Sequence, residues 1–384
     1  MDGSLSMWAK ARIVMGRRWP QRTVEKLAFP ALRRWRGWRG EGPEQGGVPF
    51  GIFQEKQEIR AGLVNGRIIA DGQSIPPLPE RSELIACGLR QAGYDWWPVL
   101  WTRRASARLL GSSLVHTDLY GHACYEAMYG PQATGDPVWR IIGSHPETEL
   151  AGSWTSLVSR WTRGRNYYHW LTDGLTRLLH LPSFPEDTKI LVPPGLPPFA
   201  LDSLKMLGLA DRVREATEEH LLIENYHFAG PSALTGCVNP MGVAWLRKSF
   251  GLPPKPAGGH RKIFISRQGT TRSVSNLREV EHALAADDWE IIDPGRLSFG
   301  EQLETFKQAR IIAGIHGAGM TNVLWAPPGT RVVEFMPRSF RNACYEGISL
   351  VLGHSHQVLI CQSDSRGNMQ VSADQLRQVL AAGD

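Results

Sequence analysis

The sequence predicts an α/β protein whose C-terminal half is built on a parallel sheet. Two observations carry this. From Lys262 to Ala381, strand-like apolar runs alternate with segments of helical period. Capping or turn residues stand at the joints. Strands and helices alternating at this spacing give a parallel sheet covered on both faces.

The elements follow in order. Lys262–Ser266 is a buried strand. Asn276, with Glu279 three residues on, opens a helix. Trp289–Asp293 is the second strand. Ser298 and Glu301 form a capping box for a helix over Phe299–Ala309. Arg310–Ile315 is the third strand, followed by the glycine loop His316-Gly317-Ala318-Gly319 and a short helix through Trp325. Pro327-Pro328-Gly329 turns the chain into a fourth strand, Arg331–Phe335. Tyr345–Leu352 is a helix and His356–Cys361 a fifth strand. Ser372–Ala381 is a C-terminal helix.

The N-terminal half gives weaker signals. Gly62–Ile69 reads as strand around an Asn65-Gly66 turn, and Tyr94, Trp96, Trp97 and Trp101 form an aromatic cluster. Asn166–Leu179 reads as a helix with Leu171, Leu175 and Leu178 on one face. Lys189–Val192 is a strand, and Ala200–Leu207 a helix ended by Gly208. Residues 253–259, rich in Pro and Gly, read as a hinge. The expected organisation is a basic arm over 1–45, an N-terminal domain over 46–252 and a C-terminal domain over 253–384.

The net charge of +6 belongs to the arm. Residues 1–40 hold ten Lys/Arg against two Asp/Glu, interleaved with Trp8, Trp19, Trp35 and Trp38. Basic residues with Trp suit an anionic membrane surface; a solvated tail and contact with nucleic acid are the alternatives, and no nucleic-acid partner is expected. Five cysteines without C-x-x-C spacing argue against a disulfide framework or a zinc ribbon. No apolar run reaches membrane-spanning length. The expected location is the cytoplasm, peripheral on the cytoplasmic face of the inner membrane if the arm binds there.

Several residues could do chemistry. The loop His316-Gly317-Ala318-Gly319 joins a strand end to a helix start, where glycine lets a ligand approach and N–H groups attract a diphosphate. Asn322 adds a donor one turn on. Arg267 and Arg272, after the first strand, suit phosphate oxygens. Glu334, flanked by apolar residues in the fourth strand, needs a partner, either ribose hydroxyls or an arginine. His169, Asp173 and Arg177 recur every four residues along one helix face. His169 could take a proton from an acceptor hydroxyl, with Asp173 orienting the ring. The plain alternative is a surface helix whose charges pair with each other.

These segments together resemble glycosyltransferase family 61. The residues that carry the resemblance are Phe264-Ile265-Ser266-Arg267, Arg272, Asn276, Leu297–Gln302, Ala309 and the run His316–Pro337, with Asn166-Tyr167-Tyr168-His169 and Asp173 upstream. It covers about residues 160–340. That family includes bacterial capsule and exopolysaccharide transferases, plant xylosyltransferases and animal O-linked N-acetylglucosaminyltransferases. The resemblance implies a GT-B architecture of two facing Rossmann-like domains. It also implies inverting transfer from a nucleotide sugar to a glycan or glycolipid acceptor, here in bacterial cell-surface polysaccharide synthesis. Asn276 joins the donor-binding set on this ground. Leu277 stands where the family often has an acid.

No Asp-x-Asp pair occurs, so the expectation is metal-independent stabilisation of the leaving group, with no cofactor. His116, His122 and Cys124, and the pair His354 and His356, are the remaining metal candidates; each lacks a recognisable fourth ligand. Two rival functions remain. One is an esterase, from the glycine loop and the near-elbow Gly353-His354-Ser355. The other is an inactive scaffold that binds a nucleotide sugar, from Leu277.

Overall fold

The computed structural model describes residues 148–381, apart from 160–161, 219, 231–235, 253–257, 268–273, 341 and 365–366. Before residue 148 it describes five strands: β1 (Gly66–Ala70), β2 (Ser74–Ile75), β3 (Tyr94–Asp95), β4 (Leu100–Leu110) and β5 (Val115–Thr117). The basic arm, the Asn65 turn position, most of the 253–259 hinge, Arg272, His122 and Cys124 lie outside the described residues.

Contacts divide the chain into two units. The smaller comprises residues 1–66, 103–152 and 217–226. It holds the antiparallel pairing of β4 with β5, in which Leu109 faces His116, and a bond from the Gly152 N–H to Glu224 at 2.9 Å. The larger comprises residues 67–102, 153–216 and 227–384. Residues on both sides of position 252/253, such as Leu246, Leu252, Ile263 and Ile265, share one apolar core.

The larger unit contains two sets of parallel strands. In the first, β6 (Thr148–Ser156) pairs through Trp154, Thr155 and Ser156 with β7 (Lys189–Val192), and β7 pairs with β8 (Val213–Glu215). Helix α1 follows β6 in three consecutive stretches of different pitch. It is α-helical over Tyr167–His169, π-helical over Trp170–Gly174 and 3-10 over Leu175–Ser183. Asn166 starts it by accepting the N–H groups of Tyr168 and His169. Helix α2 (Pro198–Met206) follows β7, with Pro198 at its first turn, and Gly208 beyond its end takes φ +69°. Strand β9 (His220–Ala229) leads to α3 (Pro240–Ser249), which the sequence reading left unassigned. Its signal was present: Asn239 caps the N–H of Met241 at 2.8 Å ahead of Pro240.

The second set is a five-stranded sheet, wholly parallel. Its strands are β10 (Arg261–Ile265), β11 (Glu290–Ile292), β12 (Ala309–Ile315), β13 (Arg331–Pro337) and β14 (Ser355–Cys361). They lie in the order β11-β10-β12-β13-β14. The helices between them are α4 (Leu277–Ala285), α5 (Phe299–Phe306), a 3-10 turn (Ala318–Leu324), α6 (Cys344–Leu352) and, last, α7 (Ala373–Ala381). The Ser298–Glu301 capping box is present, but α5 stops at Phe306 and Ala309 already belongs to β12. Asn276 does not cap α4 with its side chain. It instead donates to the Val371 carbonyl at 2.7 Å and accepts the Val371 N–H at 3.2 Å, tying the C-terminal segment to the sheet's flank.

Alternate residues of each strand serve opposite layers, as the pleat requires. Phe264, Ile311, Ala313, Val333 and Phe335 pack with Leu284 and Leu376 on one face. Ile263, Ile265, Ile312 and Val332 pack on the other with Phe299, Trp325 and Ile348. That second core continues without a break into Leu157, Tyr167, Trp170, Leu171 and Leu175. Polar bonds reinforce the join. Tyr167 Oη donates to Asn322 Oδ1 at 3.1 Å and accepts the Trp325 indole N–H at 3.2 Å. Arg247 of α3 donates to the carbonyls of Leu324 and Ala326 at 2.6 and 2.8 Å.

Replacing Tyr167 by Phe keeps the ring and removes both bonds, leaving a buried indole N–H without that acceptor. Urea unfolding is expected to show a loss of about 1–3 kcal/mol with an unchanged m-value.

Candidate active site

Strand order locates the site before any side chain is considered. The order places β10 between β11 and β12, so the chain's crossovers leave in opposite directions at the β10/β12 boundary. Open parallel sheets bind ligands at that boundary, beyond the carboxyl ends of the strands. Ser266-Arg267 follows β10 there, and His316-Gly317 follows β12. The two ends touch: Arg267 Nη1 donates to the His316 carbonyl at 2.7 Å. A Cβ at Gly317 would lie 1.7 Å from Arg267 Nη1, so only glycine there lets the guanidinium cross the loop. Gly314 has a similar duty beneath, since a Cβ would meet Ile265 and Met320 within 3 Å.

His316 is buried between Tyr345 and Phe340, with ring centroids 5.1 and 5.3 Å away. Its Nδ1 bonds Glu334 Oε1. The other carboxylate oxygen accepts from His356 Nε2 at 3.1 Å. Glu334 is fully buried, which by itself would push its carboxyl up; the charges and hydrogen bonds of the two histidines outweigh this and hold it below the usual glutamate range. Within the protein, the partners of Glu334 are thus the two imidazoles. Both oxygens are occupied by imidazoles.

Asn322 is likewise bonded within the protein. It is buried, accepts from Tyr167, and donates to Gln302 at 2.9 Å and to the Gly319 carbonyl at 3.1 Å. Its amide is used inside the protein and braces the loop. Asn276 also binds protein groups, as described above. Of the expected donor-side set, Arg267, Ala318 and Gly319 are the partly exposed members at the switch point.

Helix α1 supplies the other pair. His169 Nδ1 lies 2.8 Å from Asp173 Oδ2; the side chains are 19% and 1% exposed. Thr172 Oγ1 lies 3.1 Å from the other oxygen of Asp173. The alternative of a surface helix is not what forms. Trp170, Thr172, Asp173, Arg177 and the three leucines are all buried, and His169 is the residue of the pair that reaches solvent. A π turn at Trp170–Gly174 carries Asp173, and such turns are frequent at functional sites. Gly174 allows it to pack: a Cβ would sit 3.0 Å from Thr162 Cγ2. Two tyrosines connect this pair to the loop. Tyr168 stacks edge-on with His169 at 5.3 Å and with Tyr345 at 5.8 Å, and Tyr345 lies against His316.

The H-x-H pair is not a metal site. His354 Nε2 bonds the Val323 carbonyl at 3.1 Å, and burial lowers this histidine to about 4; His356 bonds Glu334 and Ser349. Nor is Gly353-His354-Ser355 a nucleophile elbow. An elbow runs from strand to helix, whereas here Gly353 ends α6 at φ +69° and leads into β14.

The family model for Glycosyltransferase 61 matches residues 167–333. This region belongs to glycosyltransferase family 61. Membership implies glycosyltransferase activity, with a sugar donor and a glycan acceptor. The family 61 region starts at Tyr167, the tie between α1 and the glycine loop, and closes one residue before Glu334. It contains His169, Asp173, Arg267 and His316; His356 and Ser349 lie beyond it. No curated protein gave a significant match to the chain. Leu277, at the position where an acid was expected, packs in the core with Phe264 and Val280.

The depressed Glu334 carboxyl makes stability depend on pH. A lowered folded value adds stability above the ordinary glutamate range, and that share is lost as pH falls through the lowered value. Glu334→Gln is expected to melt below wild type at neutral pH, with the gap closing below about pH 4. A gap independent of pH would contradict this.

Proposed function

We propose that this protein is an inverting glycosyltransferase that moves a sugar from a nucleotide-sugar donor to a hydroxyl acceptor without a metal. The observation that carries this reading is the His169–Asp173 pair, joined through Tyr168 and Tyr345 to His316 at the β10/β12 switch point. In this reading Asp173 holds the His169 Nδ1–H, so Nε2 takes the proton of the acceptor hydroxyl. The acceptor oxygen forms the new bond to the anomeric carbon from one face. The bond from that carbon to the phosphate oxygen breaks on the other, and its electron pair leaves with the nucleoside diphosphate. Arg267, His316 and the loop 317–319 would stabilise that charge. A GT-B-like arrangement, with donor and acceptor on separate halves, fits this division of labour. A glycan or glycolipid of a bacterial cell surface is the acceptor class the resemblance favours, made on the cytoplasmic face of the inner membrane.

Two experiments test the reading. A panel of UDP, GDP and dTDP, each with EDTA present, should raise the melting temperature for at least one nucleotide, and Arg267→Ala should weaken that binding about tenfold or more. A flat panel would defeat the donor assignment. Asp173→Asn, nearly the same shape, should lower kcat by about 10²–10⁴ with little change in KM for the donor. Full activity in that variant would remove His169 and Asp173 from the chemistry.

A further inference from the structure

Four buried side chains form one hydrogen-bonded line that runs past the matched region. Ser349 Oγ lies 2.6 Å from His356 Nδ1. His356 Nε2 lies 3.1 Å from Glu334 Oε2, and Glu334 Oε1 bonds His316 Nδ1. Strand register explains the meeting. Val332 pairs with His356 and Glu334 with Val358, so His356 and Glu334 are diagonal neighbours on one face of the sheet. Val332 shows which face, since it packs into the core that also holds Ile348 of α6. Ser349 of the same helix closes the line.

The chemistry of the line is restrictive. An ionised glutamate accepts only, so both histidines donate to it. His356 has then given Nε2–H to Glu334. A serine hydroxyl can donate to a neutral Nδ1 or accept from a charged one, so Ser349 suits either state of His356. Two imidazoles therefore divide one carboxylate, in a place where water cannot compensate the charge. Other groups face them from each packed element. Tyr345, Cys344 and Glu346 lie on α6, Arg267 at the end of β10, Tyr168 on α1, and His354 and Arg247 on the His356 side. Burial and the Glu334 charge push the Cys344 thiol up, and burial pushes the Tyr168 hydroxyl up, so neither adds a negative charge at neutral pH.

We propose that His356, oriented by Ser349, is a positioning residue for the donor site: it shares Glu334 with His316 and so limits how firmly Glu334 holds a proton on His316. This rests on the reading that His316 serves the departing diphosphate. A proton kept too firmly would leave His316 charged and the nucleoside diphosphate slow to go.

The test uses the full chain, with ¹⁵N-histidine spectra of His316 recorded against pH, and UDP binding by calorimetry across the same range. His356→Leu leaves Glu334 to His316 alone, so the pH at which the His316 ring signals change should rise by about 1 unit. UDP binding should persist to higher pH by a similar amount. His356→Gln, whose amide can still donate to Oε2, should move both less. Unchanged His316 signals in His356→Leu would overturn the proposal. If His356→Leu does not fold, the Gln variant decides, and signals identical to wild type overturn it. The ring signals need no ligand. Failure of UDP to bind at any pH would thus count against the functional reading alone, while the spectra still decide the role of His356.

Discussion

Tyr167 hands its phenolic proton to Asn322 and receives the indole proton of Trp325, and the rest of the site is built on that tie. Burial pushes the Tyr167 hydroxyl up far enough that it stays protonated at any physiological pH, so the donation is permanent. Asn322 spends its remaining capacity on Gln302 and on the Gly319 carbonyl. One asparagine thus holds the first helix of the region, helix α5 and the glycine loop at the same point. The next residue of α1 is Tyr168, and then His169. A shift of α1 relative to the loop would break the Tyr167 bonds before it moved His169 by a full hydrogen-bond length.

This explains why residues 153–216 and 227–384 belong to one contact unit. An active site that transfers a group must keep its base and its leaving-group stabiliser within an ångström or so of their working positions. Loops alone do that poorly, because their backbone is held at few points. Here the base sits on a buried helix, and the loop is clamped beneath by close packing at Gly314 and above by Arg267. The clamp works by absence of atoms: any Cβ at Gly317 would occupy the place of the guanidinium.

Much of the C-terminal sheet was legible because its signals are local. Caps, strand ends and the glycine loop each depend on neighbours in sequence, and the five parallel strands formed within a residue or two of their expected bounds. What failed was long-range. Glu334 looked like a ligand for a ribose because nothing in the sequence says that His356, two strand positions out of register, will fill its second oxygen. Asn322 looked like a donor to substrate because its partner Tyr167 lies 155 residues away. Asn276 finds its partner Val371 at similar distance in sequence. In each case the protein partner lies far off in sequence, where no local signal shows it.

The difference between Glu334 and Asp173 shows what burial does with a carboxylate beside a histidine. Both are almost fully buried and both bind an Nδ1. Asp173 bonds one imidazole through Oδ2, and its other oxygen accepts from the neutral Thr172 hydroxyl. Its charge acts on His169, which suits a ring that takes a proton from the acceptor in the proposed reaction. Glu334 has two imidazoles, so its charge is divided, which suits a ring that must bear a proton without keeping it. The second histidine is the physical difference between the two pairs. It comes from β14, outside the family 61 region, so the division of the Glu334 charge is set by a strand that contributes no other group to the site.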